Sequence, residues 1–270
     1  MTTAPSLEAV KTRQQKTWSS GDYGKIAWIT VPLADALCEA VDLRPGSAVL
    51  DVATGTGHVA LAAARRFCVV TGIDYVPALL QEARARAGAE GLQLQFREAD
   101  AEQLPFADGS FDYGLSAIGV MFTADHQRAA DELLRVCRGG GVVGLANWTP
   151  AGFIGQMLKL VGRHVPPPAG VQPPTRWGTE EGVRELIGAG AVELTFTTVS
   201  VTQRFPSPGF FADFFLNYYG PTLKASEALT QEGRRAFRDD LIALATASNH
   251  ATDGTLVSDW EFLITVAARA

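Results

Sequence analysis

The chain has few of the residues that build metal centres and disulfide frameworks, with 3 cysteines and 4 histidines in 270 residues. Cys38, Cys68 and Cys137 lie far apart and have neither CxxC nor metal-ligand spacing. We therefore expect three buried free thiols, no metal ion and a reducing compartment.

Long apolar runs and basic clusters are also missing. No stretch approaches the roughly 20 apolar residues of a membrane span, and residues 1–16 lack the apolar core of a signal peptide. The formal net charge is −6, and basic residues form no cluster larger than pairs such as Arg65-Arg66. Since nucleic acids and anionic membranes attract basic surfaces, we expect a cytoplasmic protein that binds neither.

What the sequence does have is an alternation of short β-rich runs with helical segments. This alternation predicts a parallel, doubly wound α/β sheet, in which ligands bind beyond the carboxyl ends of the strands. The predicted strands cover 48–52, 68–73, 92–97, 111–116 and 141–146. The predicted helices cover 32–41, 57–66, 77–87 and 125–136.

The regular alternation of predicted strands and helices ends after residue 147. Two proline runs, 166–168 and 173–174, predict a loop that acts as a lid or a packed connector. Further helices are predicted over 179–187 and 231–247, and further strands over 192–205 and 260–267. We predict a single structural domain in three segments: an N-terminal helical cap (1–44), a cofactor-binding core (45–147), and a segment that completes the sheet and carries inserted lid and substrate-cap helices (148–270).

A glycine-rich turn follows the first predicted strand, over residues 51–57. Such a turn between a strand and a helix normally favours phosphate, because backbone N–H groups and the helix dipole attract anions. Asp51 works against that, since a carboxylate repels a pyrophosphate and attracts a cation. The turn therefore predicts a cofactor with a nucleoside end and a positively charged end, such as S-adenosylmethionine.

Further acidic residues end the next two strands. Asp74 follows the second strand, where a carboxylate can accept hydrogen bonds from both ribose hydroxyls, and Tyr75 beside it can pack on adenine. The segment Asp100-Ala101-Glu102 follows the third strand, in reach of the adenine amino group and a ring nitrogen. Because the sheet brings these strand ends to one edge, the acidic residues are expected to share a cleft.

Together these motifs resemble the class I S-adenosylmethionine-dependent methyltransferases, and most closely the ubiquinone/menaquinone C-methyltransferase branch. The resemblance covers about residues 45–147 and includes 72–74, 100–106, 110–112 and 134–136. It implies a Rossmann-like sheet of seven strands whose last strand is antiparallel, with helical cap elements. Two departures are Ala53, where glycine is commoner, and Arg138, where proline usually precedes the double glycine.

The resemblance also implies which residues contact the cofactor. Asp51 and the glycines would lie at its methionine end, Asp74 at the ribose and Asp100 at the adenine, while Ser116 and Ala117 would border the methyl-transfer centre. The predicted cofactor-binding residues are Tyr23, Asp51, Ala53, Thr54, Gly55, Gly57, Asp74, Tyr75, Asp100, Ala101, Glu102, Ser116 and Ala117. No catalytic residue is assigned, because in-line methyl transfer requires a general base only if the acceptor must lose a proton.

The acceptor side is predicted from two features. The segment 18–23 precedes the core and is expected to pack over the cofactor. The aromatic residues of 208–219 follow helical spacing and either cover a pocket for a small apolar or aromatic acceptor or pack in the core or a homodimer face. His164 is a candidate substrate contact beside the proline loop, whereas His126 and His58 are predicted on exposed helix surface and His250 in a loop.

Two other functions use the same sheet. A nicotinamide-dependent oxidoreductase would bind NAD, although Asp51 opposes its pyrophosphate. A non-catalytic S-adenosylmethionine-binding regulator would keep the cofactor motifs without turnover. The leading prediction is a methyltransferase that acts, as a monomer or homodimer, on a small molecule.

Overall fold

A central sheet organises the fold in the computed structural model, which describes residues 6–168 and 170–270. Its strands are β1 (Ala48–Val52), β2 (Val69–Asp74), β3 (Gln95–Glu98), β4 (Phe111–Ala117), β5 (Cys137–Trp148), β6 (Ala191–Phe205) and β7 (Leu256–Arg269). Their order is β3-β2-β1-β4-β5-β7-β6. The first five strands pair parallel, and β7 runs antiparallel between β5 and β6, which confirms the predicted fold class.

Helices cover both faces of this sheet. They are α1 (Leu7–Trp18), α2 (Tyr23–Ala27), α3 (Val31–Ala40), α4 (His58–Arg65), α5 (Pro77–Ala89), α6 (His126–Val136), α7 (Phe153–His164), α8 (Glu180–Ile187), α9 (Pro208–Tyr218), α10 (Gly220–Glu227) and α11 (Gln231–Ala247). A Cβ on Gly144 would meet Val41 at the end of α3, whereas one on Gly114 would meet Leu133 of α6. Gly114 pairs with Val143, so these two residues point to the same face of the sheet. Gly144 follows Val143 and points to the other face, so α3 and α6 lie on opposite faces.

The predicted core strands are present, with shifted ends. β3 begins at Gln95 rather than residue 92, because the Leu92 N–H is bonded back to the Ala87 carbonyl and prolongs the end of α5. β5 begins at Cys137 rather than 141, so the double glycine after Arg138 lies within an irregular strand and not in a preceding turn. β7 begins at Leu256 rather than residue 260.

Aromatic side chains form the core between α7, α9 and β7. Phe153 stacks on Trp260 with ring centroids 5.0 Å apart, and Phe211 and Phe205 pack within 5.3 Å of each other. Of the six aromatic residues in 208–219, Phe211 and Phe215 are buried in this layer. Phe210 instead remains 47% exposed.

The three cysteines are buried and free. The segment 1–44 carries α1, α2 and α3, although residues 1–5 lie outside the described part. No helix in the described residues is long and apolar enough to cross a membrane. The same residues contain no cluster of side chains suited to a metal ion.

Candidate active site

The carboxyl ends of β1, β2 and β4 open onto one cavity with an empty volume of about 950 Å³, including solvent at its mouth. Ligand pockets typically measure roughly 300–1,000 Å³. Of the thirteen predicted cofactor-binding residues, eleven line it: Tyr23, Asp51, Ala53, Thr54, Gly55, Asp74, Tyr75, Asp100, Ala101, Glu102 and Ala117. The parallel register explains this convergence, because Asp51 is paired with Gly72 and Leu115 on its two sides.

Asp51 lines this cavity, and only one of its two carboxylate oxygens accepts hydrogen bonds from the described residues. Its Oδ2 accepts hydrogen bonds from the Thr54 hydroxyl and, at 2.9 Å, from the Ala60 N–H. Its Oδ1 has no hydrogen-bond partner among the described residues. The side chain is only 1% exposed, and this burial raises the pKa of Asp51 to about 7. A cation placed beside Oδ1 would favour the charged carboxylate.

The Asp74 carboxylate bridges the glycine turn after β1 and the start of α5. Its Oδ2 accepts from the Gly55 N–H and its Oδ1 from the Val76 N–H, both at 2.9 Å. Burial raises the pKa of Asp74 to about 6, against the effect of these backbone hydrogen bonds. The carboxylate therefore holds the glycine turn against the start of α5 while it lines the cavity.

Replacement of Asp51 by asparagine is expected to stabilise the protein without ligand. A buried aspartate with a raised pKa favours folding below its unfolded pKa of about 3.9, and this contribution is lost as the pH rises to about 7. Asparagine stays neutral, so the variant should gain up to about 4 kcal/mol of unfolding free energy at pH 8 and about a third of that at pH 5. Urea unfolding at the two pH values measures the difference.

Asp112→Asn is the matched control for this substitution. The Asp112 carboxylate accepts from Arg138 and from the Ala48 N–H, and these interactions lower its pKa. Its removal should destabilise the protein at neutral pH. If Asp51→Asn also lowers the free energy of unfolding at pH 8, the buried charge of Asp51 does not destabilise the wild-type protein as we infer.

Lys11, which the sequence did not indicate as a site residue, lies beside the acidic residues that follow β3. Lys11 of α1 lies 2.7 Å from both Asp100 Oδ2 and Glu102 Oε2. Burial disfavours the ammonium, but its hydrogen bonds to the two carboxylates overcome this and raise the pKa of Lys11. Glu102 also accepts from the N–H groups of Ala124 and Asp125, so it holds the wall in place.

Helix α1 adds further wall residues. Gln15 donates to the Tyr75 carbonyl at 2.6 Å, and Gln14 and Trp18 line the cavity. The Trp18 ring packs edge-on against Tyr23 at 5.7 Å and Phe122 at 4.9 Å. Of the segment 18–23, Trp18 and Tyr23 line the cleft, and α1 lines it further toward the N-terminus through Lys11 and Gln14.

Gly57 and Ser116 lie behind the cavity wall rather than in it. The Ser116 hydroxyl donates to the Val52 carbonyl at 2.8 Å and accepts from the Val120 N–H, and the residue is fully buried. Gly57 has φ +86°, and a Cβ there would lie 3.1 Å from Ala83. Both residues shape the loops that line the cavity, and their predicted contact with the cofactor stays a prediction.

The loops after β1 and β4 approach each other closely. Ala53 adopts φ +55°, a left-handed conformation that explains why glycine is the commoner residue there. A Cβ on Gly119 would lie 2.5 Å from the Ala53 Cβ and 2.7 Å from its carbonyl oxygen. Gly119 is thus needed for contact between the loops after β1 and β4.

Comparisons with known proteins agree with this geometry. A family model described as a methyltransferase domain matches residues 50–145, which span β1 to β5. The chain is 41% identical over 255 residues to an uncharacterized protein of Mycobacterium tuberculosis, covering 93% of this chain and 92% of the relative. It is 40% identical over 126 residues to the demethylmenaquinone methyltransferase of Deinococcus radiodurans, covering 45% of this chain and 52% of that relative.

Among solved structures, the fold is similar to phospholethanolamine N-methyltransferase 2 of Haemonchus contortus, which is in complex with S-adenosylhomocysteine. The TM-score is 0.62 at 16% identity, covering 100% of this chain and 61% of that chain. The chain belongs to the class I S-adenosylmethionine-dependent methyltransferases. It is therefore an enzyme whose cofactor is S-adenosylmethionine, and neither the oxidoreductase nor the regulator alternative receives support.

The cavity of this methyltransferase offers hydrogen-bond acceptors to a ligand that carries hydrogen-bond donors. Asp51 Oδ1 and Gln14 Oε1 both belong to lining residues. Gln14 Oε1 is buried and has no hydrogen-bond partner among the described residues. A cofactor with an ammonium group, ribose hydroxyls and an adenine amino group supplies such donors, so the residues present fit it.

The histidines differ from their predicted surroundings. His58 lines the cavity instead of lying on exposed surface, and its ring nitrogens contact Arg86 at 3.0 and 3.3 Å. Burial and the neighbouring arginines lower the pKa of His58 to about 3, so it is neutral. His126 is buried against Trp177 rather than solvated. His164 contacts Asp240 at 2.8 Å and does not line the cavity.

A second cavity adjoins the first in this methyltransferase. Its empty volume is about 370 Å³, and it shares Trp18, Tyr23, Thr30 and Ile118 with the cofactor cavity. The other lining residues come from α2, α7, α9, β5, β7 and neighbouring segments: Ile26, Ile29, Trp148, Ile154, Met157, Phe215, Tyr219 and Trp260. None of them carries a charged side chain. Residues of the proline loop line neither cavity.

Proposed function

We propose that this methyltransferase transfers a methyl group to a small apolar or aromatic molecule bound in the second cavity. The observation that carries the proposal is the contrast between two adjoining cavities. One is lined by four carboxylates, and the other is lined by aliphatic and aromatic side chains. An uncharged wall of this kind favours an apolar ligand, because a charged one would lose its hydration without gaining a partner.

The cofactor fills the first cavity in this proposal. Its methionine end would lie beside Asp51 and the glycine turn, its ribose at Asp74, and its adenine near Asp100 and Ala101. When bound, S-adenosylmethionine supplies a methyl group on a positively charged sulfur. Trp18, Tyr23, Thr30 and Ile118 belong to both cavities, so the methyl group would meet the acceptor where these side chains lie.

Three further observations support the proposal. The relative from Deinococcus radiodurans is named for action on a demethylmenaquinone, an apolar acceptor. The second cavity is lined by residues of the N-terminal cap, the core and the C-terminal segment, which supports a single structural domain. The three free buried cysteines support a cytoplasmic location. A monomer or homodimer remains our prediction.

Filling the second cavity should slow methyl transfer while the cofactor still binds. Ile154 of α7 is 4% exposed and lines only the second cavity. We expect Ile154→Phe to lower methyl transfer at least about tenfold, because the extra ring volume occupies the acceptor's place. The measurement is transfer of labelled methyl from S-adenosylmethionine to solvent-extractable products of an apolar metabolite extract.

Leu158→Phe is the matched control, on the same helix and outside both cavities. It should transfer methyl groups at nearly the wild-type rate. Calorimetry with S-adenosylhomocysteine should give equal affinity for both variants and the wild type. Unchanged methyl transfer by a folded Ile154→Phe variant would place the acceptor elsewhere.

A further inference from the structure

Each polar side chain left free in the second cavity can donate a hydrogen bond, and two of the four can only donate. Two of its polar side chains are already occupied: Trp260 donates to Ser258 at 2.9 Å, and the Thr30 hydroxyl donates to the Ala27 carbonyl at 2.7 Å. The indole N–H groups of Trp18 and Trp148 have no hydrogen-bond partner within the described part of the chain, and an indole can only donate. The hydroxyls of Tyr23 and Tyr219 are likewise unpartnered there.

Tyr219 is the best placed of these donors for an acceptor molecule. It is 6% exposed and lines the second cavity alone, whereas Tyr23 and Trp18 also line the cofactor cavity. Its ring packs against Phe215 at 5.6 Å and Trp18 at 5.8 Å. Its backbone N–H is bonded to the Phe215 carbonyl, so the residue is held at both its backbone and its ring.

The charge state of the hydroxyl follows from its surroundings. Burial raises the pKa of Tyr219 well above its usual range, and the nearby Tyr23 adds to this effect. The hydroxyl therefore stays protonated at neutral pH and is available to donate. No carboxylate or imidazole lines the second cavity, so this wall offers an amine or ammonium ligand no charged partner.

We propose that the Tyr219 hydroxyl donates a hydrogen bond to an oxygen of the methyl acceptor, which is therefore an apolar molecule with a carbonyl, enol or phenol oxygen. The inference rests on the proposed acceptor cavity and narrows its chemistry from any apolar ligand to one with an accepting oxygen. Buried donors left without an acceptor cost free energy, so ligands without the oxygen are disfavoured.

The same wall limits how the acceptor is activated. The carboxylates and His58 line only the cofactor cavity, and the second cavity holds no group that is deprotonated at neutral pH. No side chain there is available to take a proton from the acceptor. The acceptor's nucleophilic atom must therefore be reactive as it binds, as an enol or phenol carbon is. The carbon–methyl bond would form as the sulfur–methyl bond breaks, with the electron pair left on sulfur, and the proton that the methylated acceptor then loses would pass to solvent at the mouth of the adjoining cavity. Tyr219 acts as a positioning residue.

A matched pair of probes tests the inference. With S-adenosylhomocysteine bound, the affinities of 1-tetralone and tetralin are measured by ligand-observed NMR for the wild type and for Tyr219→Phe. The probes differ in one carbonyl oxygen, so the ratio of their affinities reports the hydrogen bond. We expect Tyr219→Phe to lower the tetralone/tetralin affinity ratio about tenfold, the usual net effect of one hydrogen bond.

Tyr218→Phe is the control, because its ring lies over Lys25 and lines neither cavity. It should keep the wild-type ratio. An unchanged ratio in Tyr219→Phe, or a loss of the ratio in Tyr23→Phe instead, would overturn the assignment to Tyr219. If neither probe binds the wild type, the acceptor cavity itself is wrong, and the proposed function fails together with the inference.

Infrared spectroscopy measures the hydrogen bond through the carbonyl stretching frequency of the bound probe, which a change in packing alone does not shift. The carbonyl stretch of bound 1-tetralone should lie at lower wavenumber in the wild type and return toward its value in apolar solvent in Tyr219→Phe. If that variant does not fold, the wild-type spectrum still decides. A stretch at the apolar-solvent position in the wild type contradicts the hydrogen bond.

Discussion

Asp51→Asn is expected to weaken S-adenosylmethionine binding by about 10- to 100-fold, the usual effect of a hydrogen bond to a charged group. Asp51 lines the cofactor cavity, its Oδ1 has no hydrogen-bond partner among the described residues, and its carboxylate is the one charged group of the glycine turn. Asparagine keeps the shape and can still accept from the Ala60 N–H. The loss therefore reports the missing charge, and calorimetry measures it.

Two comparisons separate this effect from a general disturbance. S-adenosylhomocysteine lacks the sulfonium charge, so its affinity should fall less than that of S-adenosylmethionine. The wild-type affinity for S-adenosylmethionine should also rise from pH 5.5 to 7, since the pKa of Asp51 lies at about 7 and only the ionised form attracts a cation. In Asp51→Asn the rise near pH 7 should disappear, leaving the part due to Asp74 near pH 6. Equal losses for both ligands, with no change in pH dependence, count against the role.

Asp74→Asn is expected to weaken both ligands about equally and by about 100-fold or more. The carboxylate accepts from two backbone N–H groups, and an amide can satisfy only one of them. The unsatisfied donor costs about 1–3 kcal/mol of unfolding free energy with or without ligand, whereas the loss of charge-assisted bonds to two ribose hydroxyls, about 1.5–3 kcal/mol each, weakens binding. Because both ligands carry the ribose, the S-adenosylmethionine to S-adenosylhomocysteine affinity ratio should stay unchanged.

Asp125→Asn is the control for Asp74→Asn. Asp125 also accepts a backbone hydrogen bond, from the Arg128 N–H at 3.0 Å at the start of α6, but it lies outside both cavities. Its replacement should leave the affinity for both ligands unchanged. A small effect of Asp74→Asn would move the ribose away from β2 and contradict the proposed orientation of the cofactor.

The cofactor half of the site could be predicted because its residues follow strands that are close in sequence. Parallel strands joined by helices bring their carboxyl ends to one edge, so the sequence alone predicts that Asp51, Asp74 and Asp100 lie together. Lys11 could not be placed in this way. It reaches Asp100 across 89 positions of the chain, and no local pattern announces which helix covers the cleft.

The acceptor half needed the tertiary structure for a similar reason. The spacing of the aromatic residues predicted a helix with one aromatic face, but not which rings would become core. Phe211 is fully buried, Phe214 lies outside both cavities, and Phe215 lines the second one. His58 was predicted on exposed surface, because its contact with Arg86 depends on the packing of α4 against α5.

The sequence by itself therefore determined the sheet, the family and the acidic edge that faces the cofactor. These depend on periodicity and on motifs within about 100 neighbouring residues. Only the tertiary structure decided which atoms face the ligands, since burial and hydrogen bonding depend on segments far apart in the chain. It left Asp51 at the cofactor cavity with its Oδ1 free of hydrogen bonds from the described residues, and it brought α1, α7, α9 and β7 together around an uncharged second cavity.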